Sequence, residues 1–262
     1  MATLSRITNG LFQDFRASES ITAATTTSTP SPIFTSSPDE EIIPNLLLVF
    51  HQKLDRGFFF EDIATDIRTI IHGNNITLEL AFNLLIIKAN DSEKPAKWLC
   101  LIGFFYLFGI GVELNVELNY KIAFTIFNNA VEGDEDGYAQ LFIGYCYQFG
   151  FGIVKNSTRQ ESWLKKSAAS RNPRGQQNLA QFYFDSNRSK QEKHYWPAFY
   201  WFREAALAGN ESSQQILAEY FEVGDACNKD IFTAIKLNRR CIKRTDLVGL
   251  FATHNLSRIF SS

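Results

Sequence analysis

Apolar residues recur three and four positions apart along much of this chain, which is the spacing of one helical face. Ala139, Ile143, Gly144 and Tyr147 share such a face, and Ala198, Trp201, Ala205 and Ala206 make a second stripe. Upstream, Ile63, Ile67, Ile70 and Ile71 mark a helix that Gly73-Asn74-Asn75 stops. Ile43, Leu46, Leu47 and Phe50 predict a helix before it, with Pro44 in its opening turn. Leu80, Phe82, Leu84, Leu85 and Ile87 predict a helix after it.

One stretch occurs twice. Residues 102–112 and 143–153 share a frame in which an aliphatic residue precedes a glycine, a tyrosine follows three later and Gly-x-Gly closes the unit. Gly103 and Gly144, Tyr106 and Tyr147, and Gly111 and Gly152 are each 41 residues apart. A fixed period of this size is the mark of a repeat protein. Gly103 and Gly144 lie inside helices, where glycine costs about 1 kcal/mol relative to alanine, so a packing reason is expected: close approach of a neighbouring helix to the backbone. Gly109, Gly111, Gly150 and Gly152 suit a helix end and a tight turn, because glycine reaches positive φ without a steric penalty. Asn115 and Asn156 then suit the cap of a second helix. The unit reads helix, glycine turn, helix, short loop. A single unit cannot bury its own stripe but stacked units can, so the fold class is all-α, an α-solenoid.

Units are expected over about 95–132, 138–172 and 175–210, with a degenerate one from 212. The third departs from the frame, because Asp185-Ser186-Asn187 replaces Gly-x-Gly and a longer charged connection follows over 188–194. The fourth keeps Gly224 but has Ala226 and Leu237 where glycine and tryptophan are expected, and a closing helix is read over 253–260. Three regions result: a Ser/Thr/Pro-rich disordered head (1–38), a helical cap on the N-terminal end of the solenoid (39–92) and the repeats (93–262).

The pattern from Ala139 through Gly144, Tyr147, Gly150, Gly152 and Ile153, with Trp163 and Ala168 later, resembles the Sel-one-like repeats, close relatives of tetratricopeptide repeats. Ala198, Trp201, Glu204, Ala205, Ala206 and Gly209-Asn210 are similar to that family's second helix. The upstream helices and the head resemble the Sel-one-like proteins abundant in mycorrhizal fungi. The resemblance implies a right-handed superhelix and a non-enzymatic scaffold or adaptor, in signalling or beside a membrane, whose partners are other proteins. Within the family it also leaves open a chitin-synthase activator, an ER-degradation adaptor and a small-molecule enzyme of the cysteine-rich bacterial type.

Net charge is −2 and the isoelectric point about 6.1, so nothing global favours nucleic acid or an anionic membrane. Cys100, Cys146, Cys227 and Cys241 form no C-x-x-C pair and no zinc-finger spacing. The regular disulfide per repeat of some bacterial relatives is missing, which argues for a reducing, cytoplasmic setting. The first residues lack the apolar core of a secretory signal. The longest uncharged apolar run, residues 98–112, falls short of the roughly 20 residues that span a bilayer.

Candidate chemistry is thin. The Gly-x-Gly pairs lack the third glycine and the preceding strand of a nucleotide loop. His51, His72, His194 and His254 include no i, i+4 pair, so no zincin-type site is spelled out. No kinase signature is present. No catalytic residue, metal site or cofactor is assigned. The acidic link over 133–137 reads as an exposed loop rather than a calcium site, because further ligands are lacking. Lys236, Arg239, Arg240, Lys243 and Arg244 read either as a solvated helix face or as a docking patch for an acidic partner.

The better functional candidate is the concave face. Positions one and five residues past each small packing residue stack into a column of Phe104 and Phe108, Tyr145 and Phe149, Gln181 and Asp185, Glu219 and Val223. It grades from aromatic to polar. Two readings stand: the column binds a peptide or helix of another protein, or its aromatics are core.

Overall fold

A computed structural model describes residues 39–113, 115–190, 196–224, 226–242 and 247–261. The Ser/Thr/Pro-rich head lies outside them, as do His194, Lys243 and Arg244. Among the described residues there are twelve α-helices and no strand. They are α1 (Asp39–Asp55), α2 (Phe60–Gly73), α3 (Leu78–Asp91), α4 (Ala96–Phe108), α5 (Val116–Ala130), α6 (Tyr138–Phe149), α7 (Ser157–Ala169), α8 (Pro173–Lys190), α9 (Trp196–Leu207), α10 (Glu211–Val223), α11 (Ile231–Cys241) and α12 (Leu247–Ser261). Four hairpins follow in series: α4 on α5, α6 on α7, α8 on α9 and α10 on α11. Each also packs on the next, through α5 and α6, α7 and α8, and α9 and α10, which is the stacking of a solenoid.

The turn chemistry follows the residues. Gly109 and Gly150 end α4 and α6 in the left-handed region, at φ 60° and 80°. Gly111 and Gly152 also have positive φ, and there the chain presses on the preceding helix. A Cβ on Gly111 would lie 2.1 Å from the Leu78 carbonyl oxygen, and one on Gly152 would lie 2.3 Å from that of Tyr120. Asn115 and Asn156 cap α5 and α7 by accepting from the backbone N–H groups of Leu118 (3.2 Å) and Arg159 (2.9 Å). Asn210 and Asp230 do the same for α10 and α11.

The helical glycines serve a different purpose from the one expected. A Cβ on Gly103 would meet the Phe127 ring at 2.4 Å, and one on Gly144 would meet Leu164 Cδ2 at 3.0 Å. Both neighbours are side chains of the same hairpin's second helix. Glycine there clears a socket for a large side chain, and it is the turn glycines that meet foreign backbone. In the third unit the missing Gly-x-Gly has a visible effect. With no glycine at the left-handed C-terminal position, α8 does not stop at Asp185 and continues to Lys190. In the fourth, Ala226 adopts positive φ (55°) in place of the second glycine. The closing helix α12 starts at Leu247, earlier than the periodicity indicated.

The acidic link is not simply an exposed loop. Asp134 is buried, and its Oδ2 accepts from Ala139 N–H at 2.5 Å, at the start of α6. Burial raises its carboxyl above the ordinary range against these backbone donors. Asp136 pairs with Lys97 at 2.6 Å.

The largest departure concerns the N-terminal helices. α3 packs on α4 and covers that end of the solenoid. Helices α1 and α2 also pack on α3 and α4 at that end, and α1 reaches further, to α8, so it runs across the inner row of first helices. One apolar cluster therefore spans Ile42 to Leu179, and a second, smaller one spans Ala180 to Leu237.

Candidate protein-binding groove

The residues expected to form one row fall into two groups with different surroundings. In the first half the row is already occupied by this chain. Phe104 is fully buried, with its ring 5.0 Å from Phe50 of α1 and 4.5 Å from Phe108. Phe60, the first residue of α2, meets Phe104, Phe108 and Tyr145 edge-on at 6.3, 6.4 and 4.6 Å. Phe142 stacks on Phe127 at 4.8 Å and on Phe50 at 5.9 Å. Arg174 of α8 lies over the Phe60 ring at 4.7 Å. Burial raises the half-buried Tyr145 phenol to about 12. Phe104 therefore offers no surface to a partner, whereas Phe108 and Tyr145 meet Phe60 on one side and line a cavity of about 340 Å³ with Tyr120 and Phe151 on the other. Such aromatic pairs add about 0.5–1.5 kcal/mol each beyond their area burial.

Polar contacts fix this occupant at its far end. The α1–α2 turn meets the start of α10, where Glu211 N–H donates to Arg56 O at 3.1 Å and Ser212 Oγ donates to Gly57 O at 2.6 Å. Asn210 Nδ2 donates to Asp55 O at 2.9 Å, and the Arg56 guanidinium pairs with Glu211. The Lys53 ammonium and the Asp66 carboxylate form an ion pair between α1 and α2. Tyr138 donates to Asp55 Oδ1 at 2.8 Å, and its ring stacks on His51 at 4.4 Å. Burial lowers His51 to about 4, with the nearby Lys97 charge acting the same way. Its Nε2 is buried with no hydrogen-bond partner. This histidine is strongly perturbed, but it sits ring to ring in packing and not in a reactive cleft.

In the second half the row is open. Phe149 is 42% exposed, beside Phe151. Gln181 and Asp185 are exposed and linked to each other, Gln181 Nε2 donating at 2.9 Å. Glu219 is half-buried and accepts from Gln215 Nε2 (2.9 Å) and Asn255 Nδ2 (3.3 Å). Between α8 and α10 lies a groove of about 290 Å³ lined by Gln181, Phe184, Phe202, Ile216, Glu219, Tyr220 and Val223. Gln181 also borders a second, more polar cavity toward α6, with Gln148, Phe182 and Asp185. Of the expected column, Gln181, Glu219 and Val223 line one groove, and Asp185 lines the neighbouring cavity that shares Gln181. It missed Phe184, Phe202 and Ile216 on the floor, and it missed Phe50 and Phe60. The one sequence signal for the latter was the aromatic run Phe58-Phe59-Phe60, which lies outside the repeat frame.

The remaining signature residues are structural. Tyr106 and Tyr147 are buried, as is Ala205, while Trp163 and Trp201 are half-buried against the cores. Cys100 and Cys146 are buried free thiols, and burial pushes Cys146 up to about 12 and raises Cys100 well above its ordinary value. Neither is a ready nucleophile. Among the described residues no cluster of histidine, cysteine and carboxylate side chains is arranged for a metal ion. No single described helix is long and apolar enough to cross a membrane.

Stacked helical hairpins with an inner groove define a repeat solenoid. Residues 99–130, 137–172 and 173–210, which hold the first three hairpins, match the Sel1 repeat. The chain is similar in fold to the crystal structure of a Sel1 repeat protein from Oxalobacter formigenes, at 17% identity over 87% of this chain and 82% of that one, with a TM-score of 0.60. It is also similar to a protective antigen of uropathogenic Escherichia coli strains that displays an SLR fold, at 20% identity over 76% of this chain and 45% of that one, with a TM-score of 0.49. No curated protein matches.

Proposed function

We propose that this chain is a non-enzymatic adaptor that holds another protein in the open half of its groove, between α8 and α10. The observation that carries the reading is the half-buried apolar floor of Phe184 and Ile216 beneath a rim of Gln181, Glu219 and Val223, with Val223 72% exposed. Apolar surface held open at a solenoid's inner face is the usual form of an extended binding surface. The buried free thiols of Cys100 and Cys146 fit a cytoplasmic setting, and a signalling or membrane-adjacent assembly is the role the adaptor reading assigns.

Affinity capture with the full chain tests this, comparing wild type with Val223→Asp combined with Gln181→Arg. Both positions are exposed, so the variant should melt cooperatively like wild type. The proteins recovered with wild type should be depleted from the variant. Recovery of the same proteins at the same yield would refute the groove as the site.

A further inference from the structure

The filled half of the groove shows what kind of guest this row accepts. Helix α1 presents Leu46 and Phe50, both fully buried, to the inner face, and Phe50 meets Phe104 and Phe142. Just past its end, the cation of Arg56 meets Glu211 at the head of α10. The guest is an amphipathic helix with an aromatic anchor and a basic tip. The open half continues the same row past this interface, through Gln181 and Asp185 of α8 to Glu219 and Val223 of α10. The cavity between α8 and α10 has an apolar floor, and the one toward α6 is more polar. The charged residues that line its two cavities are Asp185 and Glu219, and no lysine or arginine lines either among the described residues. Both carboxylates accept hydrogen bonds only from neutral amides in the contacts described above. A negative rim over an apolar floor favours a guest of opposite charge and disfavours an acidic one.

Resting on the adaptor reading, we propose that the open half of the groove takes an amphipathic helix of a partner protein. Its apolar face sets one or two large side chains between α8 and α10. Lysine or arginine residues one turn to either side reach Asp185 and Glu219. Side chains three and four apart share a helix face, so one short helix meets both requirements.

The test is fluorescence anisotropy on the full chain with two labelled peptides of about 15 residues, long enough for marginal helicity. Both carry the same leucine and phenylalanine face on an alanine frame. One has lysines flanking that face and the other has glutamates. The lysine peptide is expected to bind about tenfold more tightly at physiological salt, with the preference shrinking as salt rises. Asp185→Lys with Glu219→Lys should reverse the order. Glu117→Lys with Glu132→Lys changes net charge equally at exposed positions outside the lining of either cavity and should leave the order intact. Equal binding of the two peptides, no binding of either, or reversal by the control variant would each overturn the proposal. Should Val223→Asp with Gln181→Arg strip captured partners while the peptides bind alike, the adaptor reading stands and the basic helix falls.

Discussion

The two halves of one groove are built from the same hairpin unit and end in opposite states. Around α4 and α6 the inner row is aromatic, and α1 and α2 cover Phe104 and Phe142 while leaving Phe149 partly exposed. Around α8 and α10 it carries Gln181, Asp185, Glu219 and Val223, and it stays open. The first half continues one apolar cluster from Ile42 to Leu179, while the second is served by a smaller cluster. Side chains on the row decide the difference. A row of phenylalanine left in water would be a large exposed apolar patch, so the chain supplies its own cover. A row of amides and carboxylates is already solvated and needs none.

The sharpest way to break this comparison is truncation at Phe60. Phe60→Ala removes the ring that joins Phe104, Phe108 and Tyr145, and it should cost about 3–5 kcal/mol in urea unfolding. A loss under about 1 kcal/mol would mean that α2 is a loosely held lid rather than part of the core. Phe104→Asp is no probe of partner binding for the same reason, since it would place a charge in that cluster.

Acid should also act on the filled half. His51 titrates near 4 in the folded chain, against its ordinary 6.5, so the unfolded state binds the proton more readily between those values. Stability contributed by the neutral ring is present above about pH 6.5 and is lost as pH falls toward 4, by up to about 3 kcal/mol. Asp55 and Asp134, whose folded values are raised by burial, oppose this at the acid end, because their protonation relieves a buried charge. His51→Phe should flatten the slope of unfolding free energy between pH 6.5 and 5. An unchanged slope would place the sensitivity elsewhere.

Smaller effects follow at the seam between the halves. Asn210→Ala removes both the α10 cap and the bond to Asp55 O, and it should cost about 1–2 kcal/mol by urea melting. Smallest is Val223→Asp, expected to shift stability by less than about 0.5 kcal/mol, because an exposed side chain gives up little on folding. If Val223→Asp proved as costly as Asn210→Ala, the open half would be better packed than its exposure indicates.

Much of the architecture was legible in the residues, for reasons that are local. Gly109 and Gly150 end helices because they alone reach positive φ freely, and Asn115 and Asn156 cap because a short amide reaches a backbone N–H two or three residues on. The site was legible by halves. Spacing alone gathered Gln181, Asp185 and Glu219, since first helices of successive repeats present equivalent positions to one row. It placed Phe104, Phe108 and Tyr145 on the same row but did not show what covers them.

The sequence by itself determined the helices, their turns and the register in which the repeats stack, because each depends on residues within a turn or one period of one another. Tertiary structure alone decided that α1 extends from the end of the solenoid along its inner face, with Phe60 of α2 beside it. That contact joins Phe50 and Phe60 to residues as distant as Phe142 and ties Gly57 to Ser212, and no periodicity carries information across such separations. Only the summed burial of a packed core selects which apolar face meets which.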